Sequence, residues 1–396
     1  MRTAILDVGS NAAHLKVVDL VPGGPIRTVV SVKEPTRLAG SITVGGRIGH
    51  AAVDRVVASV AATAREAARV GAVELIPFVT SAIRDAANRE EILDRVAAET
   101  GVEPGYLSGQ DEARLTFLAV RAWYGWSVGP IVLADIGGGS MEIATGDGAE
   151  ADAALSMPLG AGRLTRDHLP SDPPRGKHVE RLRAHVADRL AAYGVDRLTD
   201  GSSGHHAVAT SKIFAQLARL CDGEKSDGRQ VLERAGLRRR IPRLARLTSA
   251  ECARLRGISR SRARHILAGA IVADEIMGAL GLSRLDVCPW ALREGIALRR
   301  LQRLEAGVDR TDDIAHLVRP LRADRPRLHS VADTGACQVI AGAATGRAAD
   351  RGGEQDEGPA GTSPGRALDV CTGVRVASRR NAQRGSSRTV VREGDR

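Results

Sequence analysis

The sequence is poor in aromatic residues and has no long hydrophobic run, and both shortages narrow what the chain can be. Aromatic residues make up 2% of the 396 positions, so the interior must be built from aliphatic side chains. The same shortage argues against a surface that stacks nucleic-acid bases on rings. No apolar run approaches the length of a membrane span, and the first residues enter a predicted strand without a signal-peptide core. We therefore expect no membrane partner.

Cysteine is also scarce, and its spacing carries no motif. No two of the five cysteines have the separation of a metal-binding or redox pair. They are Cys221, Cys252, Cys288, Cys337 and Cys371. Unpaired, scattered cysteines are typical of a reducing compartment, and we expect a cytoplasmic location.

Positive charge, in contrast, is in excess. The formal net charge is +10 and the isoelectric point about 10.0, with arginine far more common than lysine. This balance favours an anionic partner such as nucleic acid, anionic lipid or a polyphosphorylated molecule. Residues 236–247 and 254–265 are rich in arginine and could bind a phosphate backbone, or could be solvated helix faces. Because aromatic residues are few, nucleic acid is the less expected partner.

Two segments of the chain share one plan. "ILDVGSNAAHLKVVD" begins at Ile5 and "LADIGGGSMEIATGD" at Leu133, and each predicts a strand, a tight turn and a second strand. We read this as an internal repeat that opens two α/β domains, at residues 1–128 and 129–322. Residues 323–396 are too poor in periodic apolar positions to form a core, and we expect them to be disordered.

Apolar periodicity predicts the helices of both domains. One predicted helix covers residues 81–99 and places Arg84 and Asn88 one turn apart, where they could clamp a phosphate or simply be solvated. In the second domain the spacing predicts helices over residues 231–247 and 261–280.

The two predicted turns have the composition of phosphate loops. Glycine allows several backbone N–H groups to converge on one anion, and neighbouring polar side chains can add hydrogen bonds. An aspartate precedes each turn, and Asp7 and Asp135 could hold Mg²⁺. A single turn of this kind is more often only a tight turn, but the duplication favours two loops that bind phosphates from both sides of a cleft. The candidate phosphate-binding residues are Gly9, Ser10, Asn11, Gly137, Gly138, Gly139 and Ser140.

The segment "YLSGQDEARLTFLAV" predicts a capped helix start. Ser108 is a favourable N-cap, and Asp111 and Glu112 in the first turn favour the helix dipole. Glu112 could instead deprotonate a water molecule beside a cleft. The residues alone favour the first interpretation.

Several motifs taken together resemble one family. They are "DVGSN", "TSAIRDAAN", "SGQDEARL", "DIGGGSMEI", "ATSKIFAQLARL" and "WALREGI", in this order over roughly residues 3–305. The chain resembles the exopolyphosphatase / guanosine pentaphosphate phosphohydrolase family of the actin-like ATPase superfamily. The resemblance implies an α/β fold of two actin-like (ribonuclease H-like) domains, each a mixed five-stranded sheet flanked by helices, with the active cleft between them.

The resemblance also implies roles for particular residues. Glu112 matches the catalytic glutamate that activates the attacking water, and Asp135 and Glu142 match acids near the metal and the water. Arg84 matches an arginine on the phosphate side of the cleft. The implied activity is the Mg²⁺-assisted release of terminal orthophosphate from inorganic polyphosphate, or alternatively from guanosine pentaphosphate (pppGpp), in a possible homodimer.

The chain departs from the family pattern at three points. Ala12 stands where a serine is usual, and Ala209 where glycine is more usual. The helical C-terminal domains of longer members have no counterpart in the motifs, so we expect a preference for short polyphosphates. A kinase of the same superfamily, an inactive relative and a polyanion-binding protein without activity remain as alternatives.

Overall fold

A computed structural model describes residues 1–38, 40–43, 45–199, 204–223 and 229–307. The predicted disordered tail, residues 323–396, lies outside the described residues. Within the described ranges, none of the helices is long and apolar enough to cross a membrane.

The described strands form two sheets. The strands are β1 Arg2–Val8, β2 Ala12–Asp19, β3 Arg27–Pro35, β4 Glu74–Val79, β5 Gly105–Tyr106, β6 Ile131–Ile136, β7 Met141–Gly146, β8 Ala153–Met157, β9 His206–Thr210, β10 Gln230–Glu233 and β11 Arg284–Val287.

Helices surround both sheets. They are α1 His50–Arg69, α2 Ser81–Arg84, α3 Arg89–Thr100, α4 Gly109–Tyr124, α5 Ala161–His168, α6 Gly176–Ala192, α7 Ser211–Leu220, α8 Arg234–Leu244, α9 Ser249–Cys252, α10 Arg260–Ala263, α11 Ile266–Ala279 and α12 Leu292–Glu305.

The two sheets repeat one topology. The first has the order β3-β2-β1-β4-β5, in which β1 pairs antiparallel with β2 and parallel with β4. The second has the order β10-β11-β9-β6-β7-β8, in which β6 pairs antiparallel with β7 and parallel with β9. The two hairpins that the sequence repeat predicts, β1-β2 and β6-β7, therefore occupy equivalent places. The fold is the α/β fold of two mixed sheets that the resemblance implies, with β10 as a sixth strand in the second sheet.

Helix α4 ties the two lobes together because it is apolar on more than one side. Leu115 contacts the core on one face of the first sheet, which includes Ile5 and Phe78. Phe117, two residues later, packs in a second cluster against the strands of the second sheet. A helix buried from two directions is fixed in position. The residues at its N-terminus, Glu112 among them, are therefore held between the lobes.

The last described helix returns to the first lobe. Ile296, Ala297 and Leu301 of α12 join the same apolar cluster as strand β1. The backbones of α12 and α4 pass so closely that a Cβ at Gly295 would lie 1.9 Å from the Leu115 carbonyl oxygen. Although α12 belongs to the predicted second domain by sequence, it packs on the first sheet.

Three predicted helices were wrong in their extent. The predicted helix over 81–99 is divided into α2 and α3, because Asn88 is the N-cap residue of α3. The first three residues of the predicted helix over 231–247 belong instead to strand β10, which pairs with β11. The predicted helix over 261–280 is interrupted between α10 and α11. In each case a tertiary contact overrides local periodicity.

Candidate active site

One row of polar side chains crosses the second sheet. Asp135 pairs with Glu142 on one neighbouring strand and with Thr210 on the other, and Glu142 pairs with Ser156. Directly opposite residues project from the same face of a sheet, so the four side chains lie side by side. The Thr210 hydroxyl donates to Asp135 Oδ2 at 2.5 Å, and the Ser156 hydroxyl donates to Glu142 Oε1 at 2.9 Å. These hydroxyls fix the orientation of both carboxylates.

The first sheet carries the equivalent row with different chemistry. Asp7 pairs with Phe78 on β4 and with His14 on β2, and His14 pairs with Lys33 on β3. Asp7 and Asp135 thus hold the same place in the two repeats. The partner of Asp135 is an acid, whereas the partners beyond Asp7 are basic side chains. The equivalent positions are therefore followed by a second acid, Glu142, in one lobe and by His14 and Lys33 in the other.

The turn after Asp7 has its carbonyl groups tied back and its N–H groups free. The carbonyl oxygens of residues 9–11 accept hydrogen bonds from residues 36–38, including Thr36 Oγ1 to Gly9 O at 2.7 Å. The N–H groups of Ser10 and Asn11 have no acceptor among the described residues. Free, neighbouring N–H groups form an anion-binding concavity.

The triple-glycine turn repeats this arrangement. The carbonyl oxygens of residues 137–139 accept from Ala161 N at 3.0 Å, Arg163 N at 2.9 Å and Arg163 Nε at 2.8 Å. The N–H groups of residues 138–140 find no acceptor within the part of the chain that the structure describes. In both turns, therefore, the carbonyl oxygens are used by protein hydrogen bonds, and backbone N–H groups are left to bind a ligand.

The two turns face one another at contact distance. A Cβ at Gly138 would lie 2.2 Å from Ser10 Oγ, so any larger residue there must at least displace the Ser10 side chain of the other lobe. Beside this contact lies a cleft lined by residues of both lobes that include Ser81, Asp85 and Arg163. An anion in this cleft can reach N–H donors of both turns.

Glu112 lies in the first turn of α4 and is paired with an arginine. Its exposed fraction is only 8%, and Oε1 accepts a hydrogen bond from Arg84 Nη1. The same Nη1 donates to the Leu107 carbonyl at 2.9 Å, and Arg84 Nε donates to Asp85 Oδ1 at 3.1 Å. Ser108 caps the helix through the Asp111 N–H, as predicted. The cap supports the helix, while the neighbouring glutamate points toward the acids of the other lobe.

The acids of the cleft bind their protons tightly. Burial raises the pKa of Glu142 to about 7, with a further contribution from the Asp135 carboxylate. Burial also raises the pKa of Glu112 well above its ordinary value, with a contribution from Glu142 and an opposing one from Arg84. A carboxylate with a raised pKa is a stronger base than an ordinary glutamate.

Asp7 and Asp135 provide oxygens suited to a divalent cation. Asp7 Oδ2 accepts from Arg293 Nη1 at 2.7 Å, while Asp7 Oδ1 is buried without a hydrogen-bond partner in the structure. Burial raises the pKa of both aspartates, and the Asp7 carboxylate further raises the pKa of Asp135. The described residues contain no cluster of three or more acidic, histidine or cysteine ligands. These donors fit Mg²⁺, which is usually held by one or two carboxylates, water and substrate phosphates.

The structure brings together the predicted site residues. The two turns meet at Ser10 and Gly138, and Arg84 is paired with Glu112. The carboxylates of Glu112, Glu142, Asp135 and Asp7 are close enough for their charges to act on one another, although the roles of all these residues stay predictions. The predicted partner Asn88 does not join them. Its side-chain amide accepts from Ile48 N at 2.9 Å and donates to Ile48 O at 3.0 Å, which fixes a loop instead.

The sequence analysis did not assign Arg262 and Arg293 to the site, although both lie beside its loops and acids. With the Asn11 amide oriented so that its oxygen faces the guanidinium, this oxygen accepts from Arg262 Nη2 at 3.1 Å. Arg262 comes from the basic stretch 254–265, and Arg293 from the motif "WALREGI". The motif drew attention to Arg293 without giving it a role, whereas nothing in the local sequence distinguishes Arg262 from its neighbouring arginines.

Two glycine-rich turns that present N–H donors across a cleft, with a buried glutamate beside them, define a site for phosphoryl transfer on an actin-like fold. A phosphoanhydride can be bound from both lobes here without a covalent nucleophile. Comparison with known proteins identifies the family.

The model of the Ppx/GppA phosphatase family matches residues 16–304. Exopolyphosphatase 1 of Mycobacterium bovis is 47% identical over 305 residues, which cover 76% of this chain and 88% of the relative. The chain belongs to the Ppx/GppA phosphatase family.

Solved structures show the same fold. An exopolyphosphatase from Cytophaga hutchinsonii has a TM-score of 0.68 at 24% identity, covering 76% of this chain and 98% of that one. The Ppx/GppA family member of Aquifex aeolicus has a TM-score of 0.63 at 23% identity, covering 77% and 98%. These likenesses extend over both lobes.

Proposed function

We propose that the protein is an exopolyphosphatase-type hydrolase that releases terminal orthophosphate from inorganic polyphosphate by attack of water, with Mg²⁺ as cofactor and a preference for short chains. Membership of the Ppx/GppA phosphatase family and the 47% identity to exopolyphosphatase 1 support hydrolysis of phosphoanhydride bonds. The backbone N–H donors and the carboxylates of the site supply the groups that this reaction needs.

The observation that carries the proposal is the pair of facing turns. In each turn the carbonyl oxygens accept hydrogen bonds from other protein groups, while the N–H groups of residues 10–11 and 138–140 have no acceptor among the described residues. Donors held in place before the substrate arrives need no reorganisation when charge shifts during the reaction. A terminal phosphate that contacts both turns is therefore fixed for attack, and the chain behind it is the leaving group.

Glu112 is placed to orient and deprotonate the attacking water. Its raised pKa makes the carboxylate basic, and Arg84 keeps it oriented. Glu142, from the opposite lobe, is near enough to raise the pKa of Glu112 and can hold the same water through a second hydrogen bond. In-line attack requires positioning and charge neutralisation more than covalent chemistry.

Asp7 and Asp135 would hold Mg²⁺. When bound, the ion supplies positive charge to the phosphate oxygens. Arg293 neutralises one oxygen of Asp7 and leaves Oδ1 available. Thr210 similarly orients Asp135. The protein groups thus retain the carboxylates in a fixed geometry that a hydrated cation can share.

A phosphate-release assay tests the proposal. Tripolyphosphate, longer polyphosphates, pppGpp and ATP are each incubated with the enzyme, with Mg²⁺ or with excess EDTA. We expect release from polyphosphate that requires the metal and is fastest with short chains. Faster release from pppGpp than from any polyphosphate would make the nucleotide the substrate. No release from any of the four would contradict the proposed hydrolase.

A further inference from the structure

Cations from both lobes gather on one side of Asp7. Lys33 stands at the end of the row that runs from Asp7 through His14 across the first sheet. Lys212, in the first turn of α7 in the second lobe, is close enough for its charge to act on the Lys33 ammonium group. Arg293 and Arg262 are also close enough to act on Lys33. Four basic side chains from separate elements therefore converge.

Acids offset only part of this charge. Arg293 forms an ion pair with Asp7, and the Asp135 carboxylate attracts the Arg262 guanidinium electrostatically. Lys33 and Lys212 make no ion pair with any described residue. Two unpaired ammonium groups held together repel one another, which disfavours the free protein. Desolvation by the surrounding protein and then Lys212 lower the pKa of Lys33 to about 8.

Further groups at the cluster lack partners. Ser211 Oγ and Arg293 Nε are buried without hydrogen bonds in the structure. Ser211, directly before Lys212, has φ of 81°, in the left-handed region that favours glycine. Strain of this kind persists where surrounding structure imposes it, and it often marks a functional position. The unused donors point to an anion as the missing partner.

The cluster lies on the opposite side of Asp7 from Glu112. In the first sheet β3 and β2 are on one side of β1, and β4 and β5 are on the other. Lys33 is two strands from Asp7 along the row, roughly 10 Å at the usual strand spacing. Arg84 and Glu112 follow β4 and β5 in the chain. A chain of phosphates hydrolysed beside Glu112 can thus extend past Asp7 toward the lysines.

We propose that Lys33 and Lys212 form an inner-phosphate subsite, which binds the polyphosphate chain behind the phosphate that is released and holds the two lobes together through it. This inference rests on the proposed function and deepens it. The subsite adds affinity for a chain long enough to reach both lysines, and it does not touch the reacting phosphate.

Variants of the two lysines test the subsite. Lys33→Gln and Lys212→Gln should each raise KM for a polyphosphate of some fifteen phosphates about tenfold, the scale of one charge-assisted hydrogen bond. The kcat should stay within about twofold, and KM for tripolyphosphate, which is too short to reach both lysines, should change much less. The salt dependence of KM should become shallower. Lys177→Gln, which removes the same charge from an exposed position on α6, is the matched control and should behave as the wild type.

Lys33→Glu separates ligand binding from structural support. The new carboxylate would pair with Lys212, so Tm of the free protein should rise while KM for the longer chain rises more than in Lys33→Gln. A structural role for Lys33 predicts a lower Tm and a lower kcat in both variants. That pattern, or unchanged KM in both glutamine variants, would overturn the subsite.

Direct binding separates this inference from the proposed function. Calorimetry with the longer polyphosphate, in a Glu112→Gln background, should give a Kd about tenfold weaker after Lys33→Gln. If the wild type releases no phosphate while this loss of binding is found, the hydrolase proposal fails and the subsite stands. If release is normal and binding is unchanged by Lys33→Gln, the subsite alone fails.

Discussion

The buried acids of the cleft should make the free protein less stable than a variant that lacks one of them. Glu142 is 6% exposed, and its pKa is raised from 4.5 to about 7 by burial and by Asp135. Because the folded protein binds this proton more tightly than the unfolded chain does, stability falls as pH rises from about 4.5 to about 7. At 1.36 kcal/mol per pKa unit, the full loss above pH 7 is about 3 kcal/mol. Glu142→Gln removes this loss and keeps an oxygen for the Ser156 hydroxyl.

We therefore expect Glu142→Gln to stabilise the protein at pH 8 by about 3 kcal/mol and to be much less active. At pH 5 the advantage should shrink to about 1 kcal/mol or less, since the wild-type carboxyl is then largely protonated when folded. Thermal unfolding in EDTA at both pH values measures the difference, which corresponds to several degrees in Tm.

The control is Glu103→Gln, at an exposed position. It should change Tm little at either pH. A Glu142→Gln variant that is no more stable than the wild type at pH 8, or that gains equally at pH 5 and pH 8, would refute the electrostatic reasoning.

Two further variants probe the contact between the lobes. Gly138→Ala should lower kcat/KM for polyphosphate at least tenfold, because its Cβ would displace Ser10. The control Gly40→Ala has open space at its Cβ and should leave kcat/KM unchanged. Equal losses of kcat/KM in the two variants, measured by phosphate release, would contradict this. Arg163 Nη2 donates to Asp85 Oδ2 at 2.6 Å across the lobes. The Arg163→Ala variant should have a severalfold lower kcat. Its Tm should change little, because the Arg163–Asp85 pair is half-exposed. Arg163→Lys should restore part of the rate, and full activity of the alanine variant would show that the pair is dispensable.

Local sequence was sufficient for the hairpins but not for the rows that cross the sheets. Glycine turns and flanking aspartates are local features, so the repeat at Asp7 and Asp135 and its two strand pairs could be predicted. The pairing of Asp135 with Thr210 depends on the register between strands that are far apart in sequence. A shift by one residue would turn Thr210 away from the cleft. No local pattern determines that register.

The same reason explains the arginines that were missed. Arg262 and Arg293 contact Asn11 and Asp7, which are distant from them in sequence, so these contacts depend on the tertiary fold. The break between α10 and α11, just after Arg262, was hidden within a continuous apolar periodicity. The role suggested for Glu112 depended on the family resemblance, because a glutamate in a first helical turn has an ordinary explanation in the helix dipole.

Glu112→Gln tests whether Glu112 is the general base that takes a proton from the attacking water. The glutamine keeps the size of the side chain and can still accept from Arg84, but it cannot take a proton from water. The measurement is the rate of phosphate release from polyphosphate with Mg²⁺, with Glu103→Gln as control and Tm to confirm folding. We expect a loss of at least about a hundredfold, the usual scale for a missing general base. A folded Glu112→Gln enzyme that releases phosphate at a rate close to that of the control would contradict it.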